Sequence, residues 1–129
     1  MTVWIIQQPR PNAGGWQPDF SSAEKYGEFK FMFDSHEKVY ANPNPSMHKA
    51  QRITGQEFNF ETDYILWPNI GDPQAMFAFI FGFCLAHLGN IDYVNTLQWN
   101  RKREEDGSRN AKSGFYIPIR YNFKTPKVD

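Results

Sequence analysis

Cysteine is nearly missing from this sequence: Cys84 is the one thiol among 129 residues. A single thiol excludes an internal disulfide framework and any multi-cysteine zinc site. An excess of one charge is missing too. The 14 Lys and Arg residues balance 14 Asp and Glu residues, so the global charge names no partner. No apolar run reaches the about 20 residues that a bilayer span needs. The longest, Ala75–Ala86, has twelve and includes Gly82. The start, Met1-Thr2-Val3-Trp4-Ile5-Ile6, has neither the basic residues nor the small-residue cleavage site of a signal peptide. No membrane partner is expected, and the expected setting is cytoplasmic. Internal repeats and low-complexity tracts are lacking as well.

What is present suits one small domain. Apolar residues make up 40% and aromatics 17%, which argues against wholesale disorder. A chain of this length can bury roughly two-thirds of its unfolded surface and needs no staples.

The hydrophobic pattern predicts alternating elements. Val3–Gln7 reads as a strand, and Pro9, Pro11, Gly14, Gly15 and Pro18 cannot continue it. Ser21 and Glu24 suggest a capping box on a short helix that Gly27 ends. Glu28–Asp34 alternates with period two, placing Phe29, Phe31 and Phe33 on one face. Asn42-Pro43-Asn44-Pro45 reads as a rigid turn, Ser46–Ile53 as a helix stopped near Gly55, and Asp63–Trp67 as a short strand. Asp72 and Pro73 open the clearest helix, which runs to Leu88 and stops at Gly89-Asn90. Apolar residues surround this helix, so it is either central or covered by another subunit. Tyr93–Trp99 and Phe115–Lys124 read as two more strands joined by a charged, mobile hairpin loop over 100–114. The last strand puts Phe115, Ile117, Ile119, Tyr121 and Phe123 on the face expected to be buried, and Pro118 marks it as an edge. The fold class expected is α/β: a single domain over 1–129, with a mixed, mostly parallel sheet, a buried central helix and a C-terminal antiparallel hairpin.

Catalytic chemistry finds little support. Cys84 sits among Phe81, Phe83 and Leu85 and reads as a packed thiol, with His87 near the end of the same helix. His36-Glu37 and His48 carry no metal-ligand spacing, and Glu57, Glu61 and Asp63 read first as solvated acids. Neither G-x-G-x-x-G nor a Walker lysine occurs. The start of the helix at Gly71-Asp72-Pro73 could take a small anion, but Asp72 repels phosphate and Pro73 removes a donor. No catalytic residue, metal or cofactor is expected.

The neutral total hides an uneven distribution. Residues 1–98 hold six bases against ten acids, a balance of −4; residues 99–129 hold eight against four, a balance of +4. The C-terminal bases include Arg101, Lys102, Arg103, Arg109, Lys112, Arg120 and Lys124, interleaved with Trp99 and Tyr116. Basic side chains that follow a backbone, with aromatic faces for unpaired bases, are the usual means of holding a single strand. Glu104-Glu105-Asp106 beside the 101–103 cluster favours the plainer alternative of a solvated charged loop.

Five segments together resemble a known group. They are Ser22-Ala23-Glu24-Lys25-Tyr26-Gly27, Asp63-Tyr64-Ile65-Leu66-Trp67, Gly71-Asp72-Pro73, Leu97-Gln98-Trp99-Asn100-Arg101 and Tyr116-Ile117-Pro118-Ile119. The pattern resembles small proteins encoded by tailed bacteriophages, departing from them in the charged insert Lys102–Ser113. Its motifs are structural and carry over no functional residue. The resemblance implies a non-enzyme in the host cytoplasm, often homo-oligomeric. Such a protein binds nucleic acid in replication or transcription, or binds and inhibits a host protein. The expected function is single-stranded nucleic-acid binding, DNA ahead of RNA, through Trp99, Arg101, Lys102, Arg103, Arg109, Lys112, Tyr116, Arg120 and Lys124. The alternatives are a host-protein inhibitor or adaptor, and a small-ligand binder or enzyme.

Overall fold

The computed structural model describes residues 1–10, 18–103 and 109–124, the side chains of 102–113 excepted. Five strands form one sheet in the order β2-β1-β3-β4-β5: β1 (Thr2–Gln7), β2 (Glu28–Phe33), β3 (Tyr64–Leu66), β4 (Tyr93–Arg103) and β5 (Arg109–Asn122). The first four are parallel, and β5 returns antiparallel beside β4. Two α-helices, α1 (Pro43–Glu57) and α2 (Pro73–Ala86), join the strands along with 3-10 segments at Ser21–Tyr26 and Val39–Ala41.

β1 is apolar without alternation because both of its faces are buried. Trp4 and Ile6 point into one core with Phe33, Phe58, Phe79 and Phe83. Val3 and Ile5 point into a second with Ala23, Leu66, Leu97 and Tyr116. The connectivity explains the two cores. From β1 the chain steps one way along the sheet to β2, then back past β1 to β3 and β4. Crossovers of one hand therefore place the Ser21–Tyr26 segment on one face and both helices on the other.

The predicted order of elements is the observed one, with local corrections. Ser21 does not cap: its N–H donates to Asp19 Oδ1 at 2.9 Å, and the segment is a 3-10 turn that Gly27 closes. The Asn42–Pro45 segment is no separate turn, because Pro43 opens α1, where a missing N–H costs nothing. α1 also passes through Gly55 to Glu57. The hairpin loop expected over 100–114 is mostly strand: β4 continues to Arg103 and β5 starts at Arg109. The burial of β5 does not follow the alternation: Ile117 and Ile119 of the predicted inner face are half-buried, and Pro118 and Arg120 of the other face are exposed. Tyr116 is buried at 1% exposure, whereas Phe115, Tyr121 and Phe123 are 48%, 59% and 58% exposed. The Ser21–Tyr26 segment covers the Tyr116 face, and α2 does not reach across to cover the other.

Candidate nucleic-acid interface and the strand-end crevice

β3 pairs with β4 only through Asn95, Thr96 and Leu97. Among the described residues, β4 beyond Leu97 pairs with β5 alone, so the two strands continue as a ribbon. The register places Trp99 opposite Tyr116, Arg101 opposite Gly114 and Arg103 opposite Arg109, with an irregularity between Arg101 and Arg103. Most of the C-terminal bases stand on this ribbon.

The predicted basic site residues divide into three groups. Arg101 is exposed on the ribbon. Arg120 and Lys124 are exposed but engaged. Arg120 Nε donates to Asn95 Oδ1 at 2.8 Å and its guanidinium lies 4.2 Å from the Tyr93 ring centroid; Lys124 Nζ is 3.6 Å from Asp92. Lys102, Arg103, Arg109 and Lys112 hold strand positions, and their side chains lie outside the described residues.

The two rings expected to stack on bases are packed into the protein instead. Tyr116 lies against Phe20 and Trp99 at ring-centroid distances of 6.2 and 5.1 Å, and its backbone N–H donates to Ser22 Oγ at 3.0 Å. Burial, with a smaller contribution from the Asp19 carboxylate, pushes its hydroxyl up to about 12. Trp99 covers Gly114, where an added Cβ would stand 2.9 Å from the indole. A large ring across the ribbon thus fills the space over a glycine. Among the described residues, the buried Trp99 Nε1–H finds no acceptor. The ring that does stand open on the ribbon is Phe115, opposite Asn100. Period-two alternation assigns Phe115 to the core; alternation alone does not say which face of the ribbon is covered.

A second feature lies at the carboxyl ends of β1, β2 and β3, where the strand order reverses and ligands collect in α/β folds. A crevice of about 380 Å³ opens there between Gln7, Arg10, Ser35, Lys38, Tyr40 and Gly71. Its polar groups are engaged with one another. Gln7, only 3% exposed, donates through Nε2 to the carbonyls of Asp34 and Glu37 at 3.2 and 3.1 Å and accepts the Asp72 N–H at 2.8 Å. The Asp72 carboxylate accepts from Gln74 N at 2.9 Å and Tyr40 N at 2.8 Å. The start of α2 therefore already holds an anion, its own cap, and the crevice works as a latch between strand ends.

Two of the three acids near β3 are also engaged within the fold. Lys30 pairs with Glu57 at 3.2 Å, and Asp63 is buried under donated hydrogen bonds. His87 ties the end of α2 to the Thr54 carbonyl of α1 at 2.9 Å. Cys84, expected in the core, is exposed. Among the described residues, no group of three or more His, Cys, Asp or Glu could hold a metal ion, and no helix is long and apolar enough to cross a membrane.

No curated protein and no solved structure matches the chain. One family model does: phage Pam3 gp32-like protein, over residues 1–113. The match takes in β1 to β4 and both helices and ends before Phe115, Tyr116, Arg120 and Lys124. The chain belongs to the phage Pam3 gp32-like protein family.

Proposed function

We propose that this phage protein is a non-catalytic nucleic-acid-binding protein that holds single-stranded DNA along the β4–β5 ribbon. One observation carries the proposal. The register sets Arg103 opposite Arg109, with Arg101 on the same ribbon, outside the compact part of the sheet. Like charges at directly opposed positions disfavour strand pairing, and a phosphate between them turns that cost into charge-assisted bonds. Arg101, Lys102, Arg103, Arg109 and Lys112 contact phosphates, with Arg120 and Lys124 at the base. Phe115, on the ribbon face opposite to that of Arg101, supplies the stacking ring across the edge of the ribbon, while Trp99 and Tyr116 stiffen it.

The test is fluorescence anisotropy of a labelled oligo-dT of about 30 nucleotides, compared with duplex DNA across a salt series. Affinity should fall by about 0.7 log units per log unit of salt for each phosphate held. Removing Arg101 and Arg103 together should weaken binding and flatten that slope. Phe115→Ala should weaken binding by about 1–3 kcal/mol, as one lost stacking contact does, with the slope unchanged. Absence of binding at low salt overturns the proposal, and equal affinity for duplex overturns its single-strand part.

The open apolar side of α2 and β5 favours one other reading, a protein-binding adaptor or inhibitor of a host protein. It predicts no retention on nucleic acid and loss of the host partner when Phe81 is made charged.

A further inference from the structure

α2 carries no charged residue from Pro73 to Ala86, and the fold covers one side of it. Ala75, Ala78, Phe79, Gly82 and Phe83 are buried against α1 and the sheet. Phe77, Ile80, Phe81 and Leu85 are 45%, 44%, 55% and 48% exposed. Between α2 and the neighbouring face of β4 and β5 runs an apolar groove of about 480 Å³, walled by Met76, Ile80 and Cys84 on the helix and by Ile119, Tyr121 and Phe123 on β5. Beside the groove, the rings of Phe77 and Phe81 stack at 6.1 Å and form a ridge one helical turn long.

We infer that a second copy of the chain covers this face, across a two-fold axis that seats the Phe77–Phe81 ridge of each copy in the groove of the other. Three observations select that occupant. The first is shape: ridge and groove lie side by side on one face, so the surface is complementary to itself, as a two-fold interface requires. The second is charge: the α2 side offers nothing for a charged partner to pair with, and an uncharged apolar surface meets its own copy without repulsion. The third is area. Phe77, Ile80, Phe81, Leu85, Tyr121 and Phe123 are 44–59% exposed. At about 200 Å² per large side chain, that puts roughly 600 Å² of apolar surface in one patch before the groove walls are added. A standard interface takes about 800 Å² from each partner, while the largest apolar patch on a typical monomer is about 300–600 Å². The contact is face to face, because Pro118 removes a backbone donor from β5 and spoils its edge for pairing with another strand.

Sedimentation velocity over a concentration series, without nucleic acid, tests the dimer separately from DNA binding by the ribbon. The full chain should sediment as twice its 15.1 kDa at tens of micromolar. Phe81→Glu, at the centre of the face, should raise the dimer dissociation constant by more than about 100-fold. Leu85→Lys should do the same, so neither result depends on one variant folding. Lys25→Glu, on the exposed Ser21–Tyr26 segment across the sheet, should change it by less than about threefold. Cys84 gives a second readout: its alkylation by a maleimide should slow as dimer forms and recover in the Phe81→Glu protein. A 15.1 kDa species at every concentration, or a dimer indifferent to both helix variants, overturns the inference. A monomer would leave the face to a different protein.

Discussion

Asp63 is a buried carboxylate held by donors drawn from two parts of the chain, β1 and the turn over 59–62. Thr2 N and Asn59 N reach it at 2.9 and 3.0 Å, and Trp4 Nε1 reaches it at 3.0 Å. Thr62 Oγ1 adds a fourth bond at 3.2 Å. Each oxygen is used, and an amide here would turn an NH2 toward a donor. Asp63→Asn should therefore cost about 2 kcal/mol, the usual penalty for unmaking a buried bond to a charged group. Urea unfolding at constant slope would show it. The exposed Glu61→Gln should stay within about 0.5 kcal/mol. In the sequence, Asp63 stood with Glu57 and Glu61 as one of three acids near a strand. Its separate role was not legible there, because Thr2 and Trp4 reach it only through the pairing of β1 with β3.

At the scale of elements, the two helices cross closely at Gly82. A Cβ there would meet Gln51 N at 2.7 Å and Ala50 Cβ at 2.8 Å, and the first of these is backbone, which cannot turn aside. At Gly55 a Cβ would meet Ala86 Cβ at 3.4 Å, an ordinary contact. The same substitution should then have opposite signs. Gly82→Ala should destabilise by about 1–3 kcal/mol through overpacking. Gly55→Ala should stabilise by up to about 1 kcal/mol through helix propensity. Paired denaturation curves decide both. The sequence does not separate the two glycines: Gly55 reads as a helix stop, yet α1 continues through it, because packing on α2 outweighs its propensity. By contrast, Asp72 and Pro73 were fully legible, since capping is local, and the Asp72 carboxylate accepts the Gln74 N–H as expected.

For the whole molecule, stability is divided between two cores on opposite faces of the sheet, and Tyr116 belongs to the smaller one. Its hydroxyl holds its proton up to about 12 in the folded state, against an ordinary 10.0. Folded protein therefore binds a proton that unfolded protein has released between those values. The stabilisation is complete below pH 10 and is lost as pH rises toward 12. Thermal melting in alkaline buffer should show that decline, and Tyr116→Phe should flatten it. Which face of β5 held Tyr116 could not be read from alternation, which reports two faces without saying which one is covered. The ribbon's basic character was legible, because charge needs no fold to be counted. Its stacking ring was not, because Trp99 and Phe115 exchange roles only once the second core forms.

The position of β1 has a consequence for how the chain is made. Of the five strands it is the first to be made, yet its neighbours in the sheet are β2 and β3, and Val3 must wait for Tyr64. Closing such distant pairs is entropically slow compared with forming a hairpin. Until then the apolar Val3–Ile6 segment is unsheltered on the side that β3 will occupy. The β4–β5 hairpin, joined by neighbours in sequence, can form as soon as it is synthesised. The last two strands to be made are thus the quickest to pair, and the first strand is the one most open to aggregation on the way.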